Sequence, residues 1–123
     1  MIIGDLDIVV GEYKARISYL ENIGSASAPM YVWRRGDADP FDGMAFGDEM
    51  NPALADLDGD GDFDLAVGDR AGLIKFYENV GFPARPEFVG RVGSANPFQG
   101  VAVDKACAPR FVDIDGDGDL DLV

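Results

Sequence analysis

Short apolar runs alternate with polar turns along this chain, and the same alternation returns 57 residues later. Within one period, residues 52–55, 63–67, 73–77 and 87–89 are rich in aliphatic and aromatic residues, whereas Gly, Pro and Asp lie between them. Runs of this length with these boundaries predict strands. Residues 69–72 carry Asp-Arg-Ala-Gly and predict a hairpin turn. The pattern therefore predicts four short antiparallel strands per period.

The second strand of each period has no polar residue at its centre. These central residues are Ile8, Val9 and Val10 in the first copy and Leu65, Ala66 and Val67 in the second. A continuous apolar run of this kind is typical of a strand that is covered on both faces. We therefore expect this strand to be buried on both sides in each copy.

The repeat extends over almost the whole chain. Residues 4–66 align with residues 61–123 without a gap, and 27 of the 63 aligned pairs are identical. Repeats of about this length are typical of solenoids and propellers. Four short strands per repeat correspond to one propeller blade. The sequence therefore predicts an all-β fold made of β-propeller blades, each a four-stranded antiparallel sheet, with two blade equivalents in the chain.

Two near-identical aspartate ladders stand at equivalent positions of the repeat. The first contains Asp56, Asp58, Asp60, Asp62 and Asp64, and the second contains Asp113, Asp115, Asp117, Asp119 and Asp121. Ca²⁺ takes about six to eight oxygen ligands, and a tight loop with alternate carboxylates and Gly at the bend directs several oxygens to one point. We expect the first, second, third and fifth aspartates of each ladder to offer carboxylates and the fourth to offer its backbone carbonyl. All ten residues are predicted to form Ca²⁺ sites.

The ladder matches the beginning of an EF-hand loop, but the rest of that motif is absent. Val67 stands where the twelfth-position Glu would be needed, and the residues that follow are strand-like. The ladder is therefore predicted to connect two strands. At the beginning of the chain Met1 and Ile3 replace Asp58 and Asp60, so no cation site is expected there.

These signals divide the chain into three parts. Residues 1–52 are predicted to form a partial blade, with strands two to four and a degenerate aspartate loop. Residues 53–109 are predicted to form a complete blade with a calcium loop, and residues 110–123 the start of the next blade with its own loop. Since a closed propeller needs about four to eight blades, we expect a piece of a longer protein or self-assembly of three or four copies into a ring.

The net charge of −13 is mostly local. Ten of the 23 acidic residues belong to the ladders, and the remaining 13 face 10 basic residues. No basic stripe is present, which argues against nucleic-acid binding. The one cysteine, Cys107, excludes an internal disulfide and is expected to be a small buried side chain. No run is long and apolar enough to span a bilayer, and residues 1–5 do not resemble a signal peptide.

The ladder, the following Val-Gly, the Glu-Asn-x-Gly segment and the Pro before an aromatic strand together resemble the FG-GAP/VCBS repeats of integrin-type β-propellers. Residues 96–100, Asn-Pro-Phe-Gln-Gly, and residues 39–43 before them resemble the propeller lectins of the Psathyrella velutina type. This resemblance implies an extracellular or cell-surface protein that binds N-acetylglucosamine-type glycans in pockets between blades.

Four residues are candidates for ligand contacts, namely Trp33, Asp39, Asp48 and Asn96. Trp33 offers an aromatic platform for a sugar ring, although packing between blades is the alternative role. The acidic residues of the 37–49 segment offer acceptors for sugar hydroxyls, although a solvated loop is the alternative. Aromatic residues that recur at equivalent positions, such as Phe41 and Phe98, are predicted to pack in the core.

The function expected from these features is a calcium-stabilised β-propeller binding module for a glycan or protein ligand. Carbohydrate is the favoured ligand of the two. The alternative is a structural or adhesive segment of a larger secreted protein. An enzyme is not expected, because the chain has no His and no Gly-x-Ser-x-Gly motif. Paired carboxylates for glycoside cleavage stay open at this point, since their spacing depends on the fold.

Overall fold

The computed structural model describes residues 5–14, 16–47, 50–82 and 85–123. In these residues the chain forms antiparallel strands, two short 3₁₀ turns at Gly36–Ala38 and Gly93–Ala95, and no α-helix. The strands are β1 (Ile8–Glu12), β2 (Arg16–Asn22), β3 (Tyr31–Arg34), β4 (Asn51–Ala55), β5 (Asp64–Gly68), β6 (Ile74–Asn79), β7 (Phe88–Arg91), β8 (Phe111–Val112) and β9 (Asp121–Leu122).

The second sheet is a complete four-stranded blade with the order β4-β5-β6-β7. All of its neighbours are antiparallel, and the register places Leu54 opposite Leu65 and Leu65 opposite Tyr77. The predicted hairpin turn joins β5 to β6, where Gly72 donates its N–H to the carbonyl of Asp69 at 3.2 Å. The prediction of an all-β fold with four antiparallel strands in a blade is confirmed.

The first and third sheets repeat parts of this blade. The order β1-β2-β3 matches β5-β6-β7, since Ile8 opposite Leu20 corresponds to Leu65 opposite Tyr77. The pair β8-β9 matches β4-β5, since Phe111 lies opposite Leu122. The described residues therefore contain a three-stranded, a four-stranded and a two-stranded sheet, all built on one pattern.

The main core lies between the first and second sheets. It consists of Ile17, Phe41, Phe46, Met50, Leu65 and Val67. The two β5 residues are fully buried, as is Ala66 on the opposite face of the same strand. Burying a side chain of this size contributes about 1.5 to 3 kcal/mol relative to exposure. The expectation that β5 is covered on both faces is therefore confirmed for the second copy.

The same expectation is wrong for the first copy. Ile8 is 37% exposed and Val10 is 40% exposed, whereas their repeat equivalents Leu65 and Val67 are 0% exposed. The first sheet covers Leu65 and Val67, but within the described residues no sheet packs on the corresponding face of β1. An apolar sequence pattern alone does not tell which neighbour covers a strand.

Consecutive sheets approach most closely at two equivalent glycines. A Cβ atom on Gly11 would lie 2.3 Å from the carbonyl oxygen of Met50, and one on Gly68 would lie 2.3 Å from that of Cys107. Any side chain at either position would force the backbones apart. The two glycines therefore fix the spacing of the first sheet on the second and of the second sheet on the segment before β8.

Candidate metal centres

The first aspartate ladder forms the tight loop between β4 and β5. Gly59 and Gly61 have φ angles of +78° and +91°, a left-handed conformation that glycine adopts without a steric penalty. These two turns fold the chain back over Asp56. Its Oδ1 accepts the N–H of Gly59 at 2.8 Å, and its Oδ2 accepts the N–H of Gly61 at 3.0 Å. The loop is therefore shaped around one carboxylate.

Three carboxylates converge inside this loop. Asp56, Asp58 and Asp64 each present one oxygen, and the three oxygens lie within 4.8 Å of one another. The donor set consists of carboxylate oxygens, which hard cations such as Ca²⁺ and Mg²⁺ prefer, and it contains no nitrogen or sulfur ligand. Asp60 and Asp62 lie on the same loop but outside this group of three. The residues present therefore fit a hard divalent cation.

Asp64 anchors the loop to the rest of the blade. Its side chain is 0% exposed, and its Oδ1 accepts the backbone N–H of Asn79 at 2.9 Å. Its Oδ2 accepts the N–H of Leu57 at 3.1 Å. Hydrogen bonds to a charged acceptor contribute about 1.5 to 3 kcal/mol each. One buried carboxylate therefore joins the loop, β5 and the end of β6.

Without a cation, the electrostatics of the loop disfavour the simultaneous ionisation of all its carboxylates. Burial raises the pKa of Asp64, and the charges of Asp60 and Asp56 raise it further, against the lowering effect of its two backbone hydrogen bonds. Desolvation and the neighbouring Asp60 and Asp64 carboxylates also raise the pKa of Asp58. A divalent cation at this point would favour the ionised carboxylates and reverse both shifts.

The second ladder forms the same loop between β8 and β9. Asp113, Asp115 and Asp117 present oxygens within 4.8 Å of one another, while Asp119 and Asp121 lie outside this group. Asp113 accepts the N–H groups of Gly116 and Gly118 at 2.8 and 2.9 Å, and these bonds lower its pKa.

Asp121 accepts the N–H of Ile114 at 2.9 Å, as Asp64 accepts that of Leu57. Asp121 is only half-buried, whereas Asp64 is fully buried. The second loop therefore has the same shape in a more exposed setting.

The first copy of the repeat keeps one hydrogen bond that anchors the loop in the second copy, the bond from the Asn backbone N–H to the Asp carboxylate. Asp7, the equivalent of Asp64, accepts the N–H of Asn22 at 2.7 Å through Oδ1. Its Oδ2 accepts the hydroxyl of Tyr19 at 2.9 Å, where Asp64 accepts a loop N–H. Burial and this hydrogen bond raise the pKa of Tyr19. Residues 1–4 lie outside the described part, so the prediction that no cation site forms there stays a prediction.

Two asparagines stabilise the connections between β6 and β7 and between β2 and β3, and sequence reasoning gave them no role. Asn79 Oδ1 accepts the N–H groups of Gly81 and Glu87, at 3.0 and 3.1 Å. Asn22 Oδ1 does the same for Gly24 and Met30 in the first copy. Both asparagines are buried. The signal was present, because Glu-Asn recurs at the same place in both repeats.

Of the four predicted ligand residues, the three that the structure describes each have separate partners. Trp33 is 53% exposed on β3, and the guanidinium of Arg35 lies 5.7 Å from its ring centroid. Asp39 accepts the N–H of Phe41 at 2.9 Å. Asn96 accepts the N–H of Phe98 and donates to the carbonyl of Ile74, so both ends of its amide bind backbone. Asp48 lies outside the described residues.

A cleft of about 730 Å³ opens between the first and second sheets, next to the first loop. Tyr19 and Phe63 contribute aromatic surface, and Asp5, Glu21 and Asp62 contribute carboxylates. Asp5 Oδ2 is buried and has no hydrogen-bond partner within the described residues. This cleft combines apolar surface with one buried acceptor, Asp5 Oδ2, that has no donor in the described residues.

Repeated antiparallel sheets in which a glycine-bent aspartate loop connects two neighbouring strands define a protein made of β-propeller-type blades. The family model for FG-GAP-like repeats matches residues 56–123, which is more than half of the chain. The chain therefore belongs to the FG-GAP-like repeat family. No curated protein and no solved structure matches the chain significantly. No helix in the described residues has the length and apolar character needed to cross a membrane.

Proposed function

We propose that this chain is a calcium-stabilised β-propeller module that binds carbohydrate in the cleft between its blades, outside the cell or at its surface. The observation that carries the calcium part is the convergence of Asp56, Asp58 and the buried Asp64 within one loop. Carboxylates placed this closely repel one another, by about 4 kcal/mol per pair at 4 Å and an effective dielectric constant of 20. A bound Ca²⁺ turns this repulsion into attraction.

The role of calcium in these loops is to stabilise the blades. Asp64 also binds the end of β6, so a cation held by Asp64 stabilises the contact between the loop and the outer strands. At a Ca²⁺ concentration of about ten times Kd, each site adds about 1.4 kcal/mol to the free energy of unfolding. A typical domain has a total of about 5 to 15 kcal/mol, so two such sites are a substantial fraction.

The cleft supports the carbohydrate part of the proposal. A sugar ring has apolar C–H faces that pack on aromatic side chains, and Phe63 and Tyr19 line the cleft. Its hydroxyl groups are donors, and Asp5 Oδ2 is a buried acceptor without a donor in the described residues. The resemblance to propeller lectins suggests N-acetylglucosamine-type glycans, and an acetamido N–H is a further donor for these carboxylates.

A glycan array with the calcium-loaded protein tests this part. We expect binding to glycans that end in N-acetylglucosamine, loss of binding in Phe63→Ala, and unchanged binding in Phe82→Ala. Phe82 is a matched control, because it is 73% exposed, compared with 61% for Phe63, and does not line the cleft. Absence of binding to every glycan would contradict the carbohydrate proposal and leave the calcium proposal intact.

A second candidate is a structural or adhesive propeller segment of a larger secreted protein. The observation in its favour is that the same Asp and Asn recur in both repeats, as Asp7 with Asn22 and as Asp64 with Asn79. In each blade their side chains accept backbone hydrogen bonds. Such residues maintain blades whether or not a ligand binds. Sequencing the complete gene distinguishes this candidate, because neighbouring domains or a secretion signal would then be visible.

A further inference from the structure

The first sheet has an exposed edge at β1. β1 pairs with β2 only, so its other edge presents unpaired N–H and C=O groups within the described residues. In the second sheet β4 covers the equivalent edge of β5. The face next to this edge exposes Ile8 and Val10 at 37% and 40%. An open strand edge beside an apolar face is a template for pairing with another strand.

The third sheet contains a strand that fits this edge. β8 is the repeat equivalent of β4, and β4 is the strand that covers β5. Transferring the β4-β5 register by one repeat places Phe111 opposite Ile8 and Arg110 opposite Val9. Within one chain β8 already pairs with β9. β9 is the repeat equivalent of the beginning of β1, so β1 can form the same pairing.

We propose that copies of this chain assemble head to tail by strand exchange, with β1 of one copy taking the place of β9 against β8 of the next. The composite blade then has the order β8, β1, β2, β3, which reproduces β4-β5-β6-β7. Each exchange thus completes one four-stranded blade from strands of two copies, and repeated exchange builds blades toward a closed ring. This assembly does not depend on the carbohydrate ligand.

The gain in contacts favours the exchange. β9 offers β8 only a two-residue ladder, Asp121–Leu122, and leaves Leu122 at 38% and Val123 at 65% exposure. β1 is a five-residue strand and brings β2 and β3 with it. The second sheet of the neighbouring copy then covers Ile8; within one chain the segment that follows β7 already contacts β8, since the ring centroids of Phe98 and Phe111 are 5.7 Å apart.

The retention of Asp7 agrees with this arrangement. Asp7 is the repeat equivalent of Asp121, and its Oδ1 accepts the N–H of Asn22 as Asp64 accepts that of Asn79. In the exchanged assembly Asp7 takes the place of Asp121 beside the 113–119 loop of the other copy. Asp7, the carboxylate that the degenerate N-terminal copy keeps, thereby acquires a complete loop.

Sedimentation velocity in calcium buffer tests the proposal. We expect the wild-type chain to sediment as a discrete assembly of several copies, and Val10→Asp to sediment as a folded monomer. Val92→Asp is the control, since Val92 is 85% exposed and lies outside the composite blade contact. A monomeric wild type, or an assembly that Val10→Asp leaves unchanged, would overturn the proposal.

Engineered disulfides test the register even where a substitution harms folding. On a Cys107→Ser background, mixing Val9→Cys with Arg110→Cys chains should give a disulfide between copies under mild oxidation, and mixing Val92→Cys with Arg110→Cys should not. Within one chain, Arg110 and Val123 exchange two backbone hydrogen bonds, at 2.9 and 2.8 Å. A chain with both Arg110→Cys and Val123→Cys should therefore lock β9 on β8 and stay monomeric. Equal linking in the two mixtures would contradict the register.

Discussion

At the scale of single residues, Asp64 connects the candidate metal centre to the fold. Its carboxylate converges with Asp56 and Asp58, and the same side chain accepts backbone N–H groups from Leu57 and Asn79. A substitution at this residue therefore affects the cation and the blade together. The chain contains a useful contrast in Asp62, which lies on the same loop but outside the group of three carboxylates.

We predict that Asp64→Asn weakens calcium binding at the first loop by at least about tenfold, since each lost charge interaction of about 1.4 kcal/mol is a factor of ten. Without calcium we expect the free energy of unfolding to fall by about 1 to 3 kcal/mol, because asparagine has one side-chain acceptor oxygen and leaves the N–H of either Leu57 or Asn79 without a partner. Melting curves with and without Ca²⁺ measure both effects.

Asp62→Asn is the control and should keep its calcium response. An equal loss of calcium binding in both variants would contradict the assigned roles.

Asn79 provides a second prediction at this scale. Asn79→Ala leaves the part-buried N–H groups of Gly81 and Glu87 without their acceptor. We expect the free energy of unfolding to fall by about 1 to 2 kcal/mol, because an unsatisfied buried donor costs about 1 to 3 kcal/mol and these two are only partly buried. Urea denaturation measures this change. Gln99→Ala, at an exposed position, should change stability by less than about 0.5 kcal/mol. Similar small effects in both would show that the asparagine is not a support.

At the scale of strands and sheets, blades pack through a backbone contact at glycine. Gly68 lies against the carbonyl of Cys107 and the ring of Pro109, and Gly11 lies against Met50 and Pro52 in the same way. Because the contact is repeated, it sets the step from one sheet to the next. The neighbouring core residues Leu65 and Val67 are buried by that step.

We predict that Gly68→Ala lowers the free energy of unfolding by about 1 to 3 kcal/mol, the usual cost of forcing extra atoms into a packed contact. A Cβ there would lie 2.3 Å from a backbone oxygen, and the backbone must move to accommodate it. Gly90→Ala is the matched control in β7, where the nearest atom would be a Tyr77 ring carbon at 3.4 Å. Equal melting temperatures for the two variants would be evidence against close blade packing.

The strands were predictable from sequence because the same pattern of apolar runs and turns occurs in both repeats. Residues 52–55 and 63–67 lie within a residue or two of β4 and β5 as observed. The burial of Phe46 was not predictable, since its repeat equivalent Val103 is 51% exposed. The exposure of Ile8 was not predictable either, because burial depends on the neighbouring sheet as well as on the strand itself.

The candidate site was predictable in part for the same reason. The spacing of the ladders indicates which side chains can converge, but it also counts the carboxylate of Asp60, which lies outside the group of three, and it does not show that Asp64 is buried and bound to Asn79. That distinction depends on a contact across 15 residues, which alternation along the chain does not contain. The cleft is likewise formed by two sheets and has no local signature.

At the scale of the whole molecule, an acidic chain of modest size is organised around two loops that concentrate negative charge. The net charge of −13 is largely carried by those loops, and the core lies mainly between two sheets. Cations at the loops would reduce self-repulsion and tie each pair of strands together. We therefore expect the stability of the fold to depend on calcium more than on any single apolar contact.

Isothermal titration calorimetry of Ca²⁺ into chelator-treated protein, paired with melting curves of the same sample, tests this claim most directly. We predict binding of two Ca²⁺ per chain and a melting temperature that rises with Ca²⁺ concentration. No heat of binding, together with a melting temperature that added Ca²⁺ leaves unchanged, would contradict the account.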